Sequence, residues 1–175
     1  ASEGLIPDPL PCEIYCHSLT DPSILSEQLQ KQGAQTLTVF AIHTPHALLE
    51  NQPHESMRQQ LTDAVLASLN SVLAEPIEDL IMIDIDGKPC IETKTTKDLE
   101  DELRLPQGNI FHGALEWPFL EDQEPRITPA QRWGVATSIP NVLVCGSGAK
   151  RGGAVSGIAG HNAAMAVLEA IEKLD

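Results

Sequence analysis

The residues best placed to do chemistry lie in the run Asn141-Val-Leu-Val-Cys-Gly-Ser-Gly-Ala-Lys-Arg-Gly-Gly-Ala-Val-Ser-Gly-Ile-Ala-Gly-His-Asn-Ala-Ala164. Glycines at 146, 148, 152, 153, 157 and 160 interrupt it. Without Cβ atoms, such a turn lets a ligand approach the backbone closely. Where the turn feeds a helix, free amides and the positive end of the dipole favour a phosphate or another electron-rich group. The run from Gly146 to Gly153 is therefore a natural seat for such a group, beside the plainer reading of a tight strand-to-helix crossover.

Other reactive side chains are weaker candidates. His43, His46 and His54 cluster after a strand-like stretch. No Asp, Glu or Cys stands at fixed spacing from them, and they read as solvated loop histidines rather than a metal site. Cys12, Cys16 and His17 could be written as zinc ligands, but strand geometry would aim them poorly. Asp84 and Asp86 lack the rest of a calcium loop and read as a turn before Gly87. No metal is therefore assigned. Trp117, Phe119 and Trp133 concentrate the aromatic residues of a chain with 3% of them. Taken singly, these rings and His112 read as packed side chains. No catalytic acid or base stands out.

The elements that must position these groups follow from periodicity. Cys12 to Ser18 alternates loosely and reads as a strand; Gln35 to Thr44 reads as a central strand with apolar residues on both faces. Asp21 before Pro22 marks a turn or helix start, and Ile24 to Gln32 is either a short helix or a polar excursion. Met57, Leu61, Val65, Leu69 and Leu73 recur every four residues, which predicts a core helix over about 55–74 closed by Pro76. Leu80 to Ile85, the dipeptide Asp86-Gly87 and an edge arm carrying Pro89 read as a hairpin. A short helix is expected over 95–103, with Thr95 or Thr96 as its cap and acids in its first turn. Asn109 to Leu115 reads as extended, Asn141 to Cys145 as a buried strand, and about Gly153 to Leu174 as an Ala-rich helix.

Bulk properties narrow the function. With 25 acids against 11 bases the net charge is −14. A surface of that sign repels nucleic acid and anionic lipid, which discounts both as partners; the plainer meaning of the acidity is solubility. Four cysteines without a CxxC pair do not make a disulfide framework. They read as reduced, mostly buried thiols of a cytoplasmic protein. The sequence carries no signal peptide and no apolar run long enough to cross a bilayer.

The order of residues says more than their spacing. Val144-Cys-Gly-Ser-Gly-Ala149, followed by Gly152-Gly-Ala-Val-Ser-Gly-Ile-Ala-Gly-His-Asn-Ala-Ala164, resembles the C-terminal signature of phytoene desaturase-like, FAD-dependent oxidoreductases. Asp98-Leu-Glu100 and Leu105-Pro-Gln-Gly-Asn-Ile-Phe-His-Gly113 resemble that family's preceding segment, in the right order. Two departures stand out: Lys150-Arg151 where many relatives have His-Pro, and His161 where many have Arg.

The resemblance implies an α+β or α/β fold. Residues 1–135 would be a substrate-domain portion with a mixed sheet backed by helices. Residues 136–175 would be the strand, glycine turn and helix that complete a Rossmann-type FAD domain. By the same resemblance Gly146 and Ser147 would lie near the cofactor's pyrophosphate and ribityl chain, Gly152, Gly153, Ala154 and Val155 would turn their amides to the flavin, and His112, Trp117 and Trp133 would border the substrate pocket. The strand-GxGxxG-helix half of such a domain is absent from this sequence, so the missing N-terminal FAD-binding portion is the first expected partner. The implied activity is dehydrogenation or isomerisation of an apolar small molecule by hydride transfer to flavin, with the segment inactive alone. An apolar face left open by the missing half predicts self-association. Two other classes stand beside this one: a non-catalytic subunit that pairs with a separate flavin-binding chain, and an α/β domain that binds a phosphorylated small molecule at Gly146 to Gly153.

Overall fold

Alternation of β-branched and apolar residues makes Thr38-Val-Phe-Ala41 the better of two short strands. In the computed structural model, which describes residues 4–50, 52–113, 117, 119, 122–150 and 156–172, these residues form β2 (Thr38–Ala41). β2 pairs antiparallel with β1 (Cys12–Tyr15), with Cys12 opposite Ala41, Glu13 opposite Phe40, Ile14 opposite Val39 and Tyr15 opposite Thr38. The ladder runs one pair further, because the Ile42 amide donates to the Pro11 carbonyl at 2.9 Å. Among the described residues this ribbon is the whole of the sheet, so β2 is not flanked on both sides as a central strand would be.

The helices are α1 (His17–Thr20), α2 (Glu27–Lys31), α3 (His54–Asn70), α4 (Thr96–Leu103), α5 (Pro129–Arg132) and α6 (Ile158–Ile171). The chain divides into two compact units, 1–97 and 98–175.

In the first unit, Met57 on α3 packs on Leu48 and Leu49, with Ile6 and Leu61 beside them. The stripe that predicts α3 is buried at Met57 and Leu69 and fades to exposed Val72 and Leu73 beyond the last turn. Leu10 is tied to the same helix through its amide, which donates to Ser68 Oγ at 2.9 Å. Ser18 is buried because it works in both directions, donating to the Gln35 carboxamide and accepting the Thr36 amide at 2.9 Å. The hairpin at 83–89 forms as the Asp-Gly dipeptide predicts: Gly87 takes φ +79°, Ile83 bridges Pro89, and Asp84 Oδ1 accepts the amides of Asp86 and Lys88 at 2.8 Å each.

In the second unit, Val135, Ala163 and Ala166 form the core, with Ala130, Trp133 and Leu143 packed on it. Small residues on α6 let that helix lie close to its neighbours. α5 opens with a capping box the loop-like sequence hides: Gln131 accepts the Thr128 amide at 3.0 Å while Thr128 Oγ1 accepts the Gln131 amide at 3.2 Å.

Candidate functional site

The glycine run sits in the second unit, and its lead-in is less regular than a strand. Ala136 bridges Leu143, and the Val144 amide donates to the Val135 carbonyl at 2.9 Å. A strand needs a continuous ladder; here the described neighbours supply one bridge, and the expected strand at Asn141–Cys145 reduces to that contact. Gly146 and Ser147 follow in a turn closed by the Ala149 amide on the Gly146 carbonyl at 3.0 Å. A Cβ built on Gly146 would meet nothing within 4 Å, so the space above it is open. Gly152, Gly153, Ala154 and Val155 lie outside the described residues.

Helix α6 then starts from Gly157. No side chain caps it by hydrogen bond to its first turn, and the Ile158 amide reaches only Ser156 Oγ at 3.4 Å. Gly160 sits where a Cβ would lie 3.8 Å from the Cys145 carbonyl oxygen. The helix therefore rests on the lead-in of its own turn.

His112 meets this turn. The segment 109–113 is a tight loop instead of the expected extended stretch. Asn109 causes this: its Oδ1 accepts the Phe111 amide at 2.9 Å and its Nδ2 donates to the Gly113 carbonyl at 2.8 Å. The His112 amide closes back on the Asn109 carbonyl at 2.8 Å, and His112 adopts φ +63°. Asn side chains compete with the strand ladder for backbone partners, and here the local bonds win. A Cβ on Gly148 would stand 3.3 Å from the Cβ of His112. Two groups of candidates, the glycine turn and His112, are thereby brought together across a gap in sequence.

Trp133 lies elsewhere in the unit. Its indole Nε1 donates to Glu169 Oε2 at 3.0 Å, its ring stands edge-on to His161 at 6.0 Å, and it packs on the Val135 core. Arg132 pairs with the other oxygen of Glu169. With Asn162, these residues line an open cleft of about 410 Å³. Trp117 is 62% exposed and leans on Phe119, ring centroids 5.1 Å apart. The three pocket candidates are thus not gathered into one cavity: His112 meets the glycine turn, Trp133 is held by Glu169, and Trp117 stands in solvent. The sequence singles out neither Glu169 nor a cleft role for Asn162. Glu169 is one acid among many, and nothing in the spacing points across 36 residues to the indole it binds.

The remaining candidates resolve simply. His46 Nδ1 and Thr96 Oγ1 are 3.0 Å apart, and His54 Nε2 and Thr95 Oγ1 are 2.8 Å apart, so these two histidines are engaged rather than solvated. Among the described residues no group of three or more His, Cys, Asp or Glu is arranged to hold a metal. The cysteines are not mostly buried: Cys12 and Cys16 are half-buried, while Cys90 and Cys145 are exposed. Partial burial pushes the Cys12 thiol above its usual pKa. Among the described residues no helix is long and apolar enough to cross a membrane.

No family model matches the chain, and no solved structure matches it. It is 63% identical over 168 residues, 96% of this chain, to an uncharacterized protein of Mycobacterium tuberculosis, of which the match spans 31%. It is also 30% identical over 166 residues to the mouse protein named pyridine nucleotide-disulfide oxidoreductase domain-containing protein 2, covering 94% of this chain and 27% of that protein. The chain is similar to an oxidoreductase-domain protein along nearly its whole length. The rat protein of the same name is 29% identical over 166 residues. The chain spans less than a third of the length of these relatives, at 31% and 27%.

Proposed function

We propose that residues 1–175 belong to a longer FAD-dependent oxidoreductase, as its C-terminal portion, and that the whole protein dehydrogenates or isomerises an apolar substrate by hydride transfer to flavin. One observation carries the reading: the likeness to the mouse oxidoreductase-domain protein covers 94% of this chain, so it includes both the glycine run and the His112 loop. The cytoplasm is the compartment this reading assigns. The phytoene dehydrogenase-related grouping rests on the motif order alone.

The chain's own residues fit the role of holding part of such a cofactor. Gly146 leaves open space where a side chain would stand. The first turn of α6 offers the Ala159 and Gly160 amides, to which no side chain is bonded. Amides and a helix dipole aimed at one place stabilise negative charge there. Gly146 and Ser147 would line the cofactor, with Gly152, Gly153, Ala154 and Val155 continuing the turn. His112, beside Gly148, would border the same place. FAD, when bound, would supply the hydride acceptor. Trp133, fixed by Glu169, and the exposed Trp117 would present apolar surface toward a substrate. The missing N-terminal portion would contribute the rest of the flavin site.

The test is flavin binding by the longer polypeptide. It is expected to purify with flavin absorbance, and Gly146→Leu is expected to weaken flavin binding by at least about tenfold, equivalent to about 1.4 kcal/mol. The same variant in residues 1–175 should keep its thermal midpoint, because a Cβ at 146 meets nothing within 4 Å. Flavin bound equally well by Gly146→Leu would remove Gly146 from the site. A long polypeptide that binds no flavin would end the reading.

A further inference from the structure

The outer edge of β1 is built to take another strand. The Pro11–Ile42 pair shares a hydrogen bond. Because bonded and non-bonded pairs alternate along an antiparallel ladder, Glu13–Phe40 and Tyr15–Thr38 also face inward, and Cys12 and Ile14 turn their amides and carbonyls away from β2. Among the described residues no bond outside the ladder occupies the Cys12 amide or either backbone group of Ile14. Proline commonly blunts an exposed edge. Pro11 does not, since the register puts its missing N–H on the β2 side. The outer edge of β2 differs at one group, the Ala41 carbonyl, which accepts from Thr44 Oγ1 at 2.9 Å.

Side chains agree with the backbone. Ile14 is 46% exposed, Tyr15 39% and Phe40 52%, so both faces of the ribbon carry uncovered apolar surface. An added strand alternates its side chains and would cover Ile14 on one face and Tyr15 on the other. A two-stranded ribbon is marginal in water without such cover.

We propose that the outer edge of β1, at Cys12 and Ile14, pairs with a β-strand from the part of the longer polypeptide that lies outside residues 1–175. The M. tuberculosis relative supplies the argument for this occupant: the matched segment is 31% of it, which leaves more than two thirds of its length to provide a strand. A tethered strand also binds at high effective concentration. A second copy of this chain would bring −14 against −14. The proposal rests on the reading of 1–175 as part of a longer polypeptide, and not on flavin binding.

Residue-resolved amide exchange tests it, run on 1–175 and on the full product of the source reading frame. The Ile14 amide is expected to exchange at least about 100-fold more slowly in the longer product, as ladder amides do. Ile14→Pro, which removes that amide, should restore the Cys12 amide to its rate in 1–175, while Ile14→Ala should not. Three results overturn the proposal. One is an Ile14 amide equally fast in both chains. Another is a reading frame that adds nothing to 1–175. The last is protection in 1–175 itself that rises with concentration, which would assign the edge to a second copy.

Discussion

Glu169 holds two partners at once, the Arg132 guanidinium and the Trp133 indole. Its removal leaves a half-buried N–H and a guanidinium without that acceptor. Glu169→Ala is expected to cost about 1–2 kcal/mol, with a shift in tryptophan emission as the Trp133 environment changes. Denaturant melts read at the two signals check it, and an unchanged spectrum would mean the indole has another support. Asn109→Ala should remove both side-chain bonds of the 109–113 loop, at about 1 kcal/mol, and free His112 to move off Gly148. The His112 proton resonances report it directly. Neither site was legible as such. Asn109 sits in a motif that reads as extended, and only the structure shows its side chain capturing two backbone groups. The glycine turn was legible, since glycine spacing after an apolar stretch announces a turn before any packing is known.

Among the elements, α3 carries the clearest stability prediction. Met57 is 2% exposed and touches both leucines of its cluster, so Met57→Ala should cost about 2–4 kcal/mol, measured by thermal unfolding. Its four-residue stripe was readable because one helix face meets one core. β2 was readable as a strand but not as half of a ribbon, because residue type cannot say how many neighbours a strand has. α5 was missed: prolines in 118–140 hide the Thr128-Pro-Ala-Gln131 box that starts it. Acid sensitivity belongs to the small caps. Asp21, which accepts from Ser23, and Glu78, which accepts from Asn70, both titrate below their usual range. A depressed carboxyl stabilises the fold above its unfolded pKa and loses that contribution as pH falls through the lower folded value. Both bonds should therefore hold at about pH 4, where free carboxyls are roughly half protonated, and be lost as pH falls further through the lowered folded values. Proton titrations of the Ser23 and Asn70 amide signals would show it, and signals steady to strong acid would refute it.

Across the molecule, uncovered apolar residues recur in both units. Ile14 and Phe40 stand out on the ribbon; Val167, Leu168 and Ile171 stand out on α6. Such surface favours association in a chain kept apart from whatever covers it. Residues 1–175 alone are expected to form soluble oligomers as concentration rises, opposed at low salt by the charge of −14. Sedimentation at two ionic strengths measures both effects, and a monomer at every concentration and salt would count against them. The size of the relatives gives this surface its context, and sequence length alone could not.

The hairpin at 83–89 also governs how the protein ages. Asp86 is exposed and followed by Gly87, a pair prone to cyclise when the glycine nitrogen attacks the aspartate side-chain carbonyl. Water leaves, a five-membered imide forms, and its hydrolysis yields mainly isoaspartate with an extra methylene in the backbone. That nitrogen is held, because its N–H donates to the Asp84 carbonyl at 3.1 Å. Asp84 thus slows a chemical clock as well as shaping a turn. Stored protein with Asp84→Ala, which loses the two bonds to Oδ1 that clasp the turn, should accumulate isoaspartate at position 86 several-fold faster, as counted by peptide mapping.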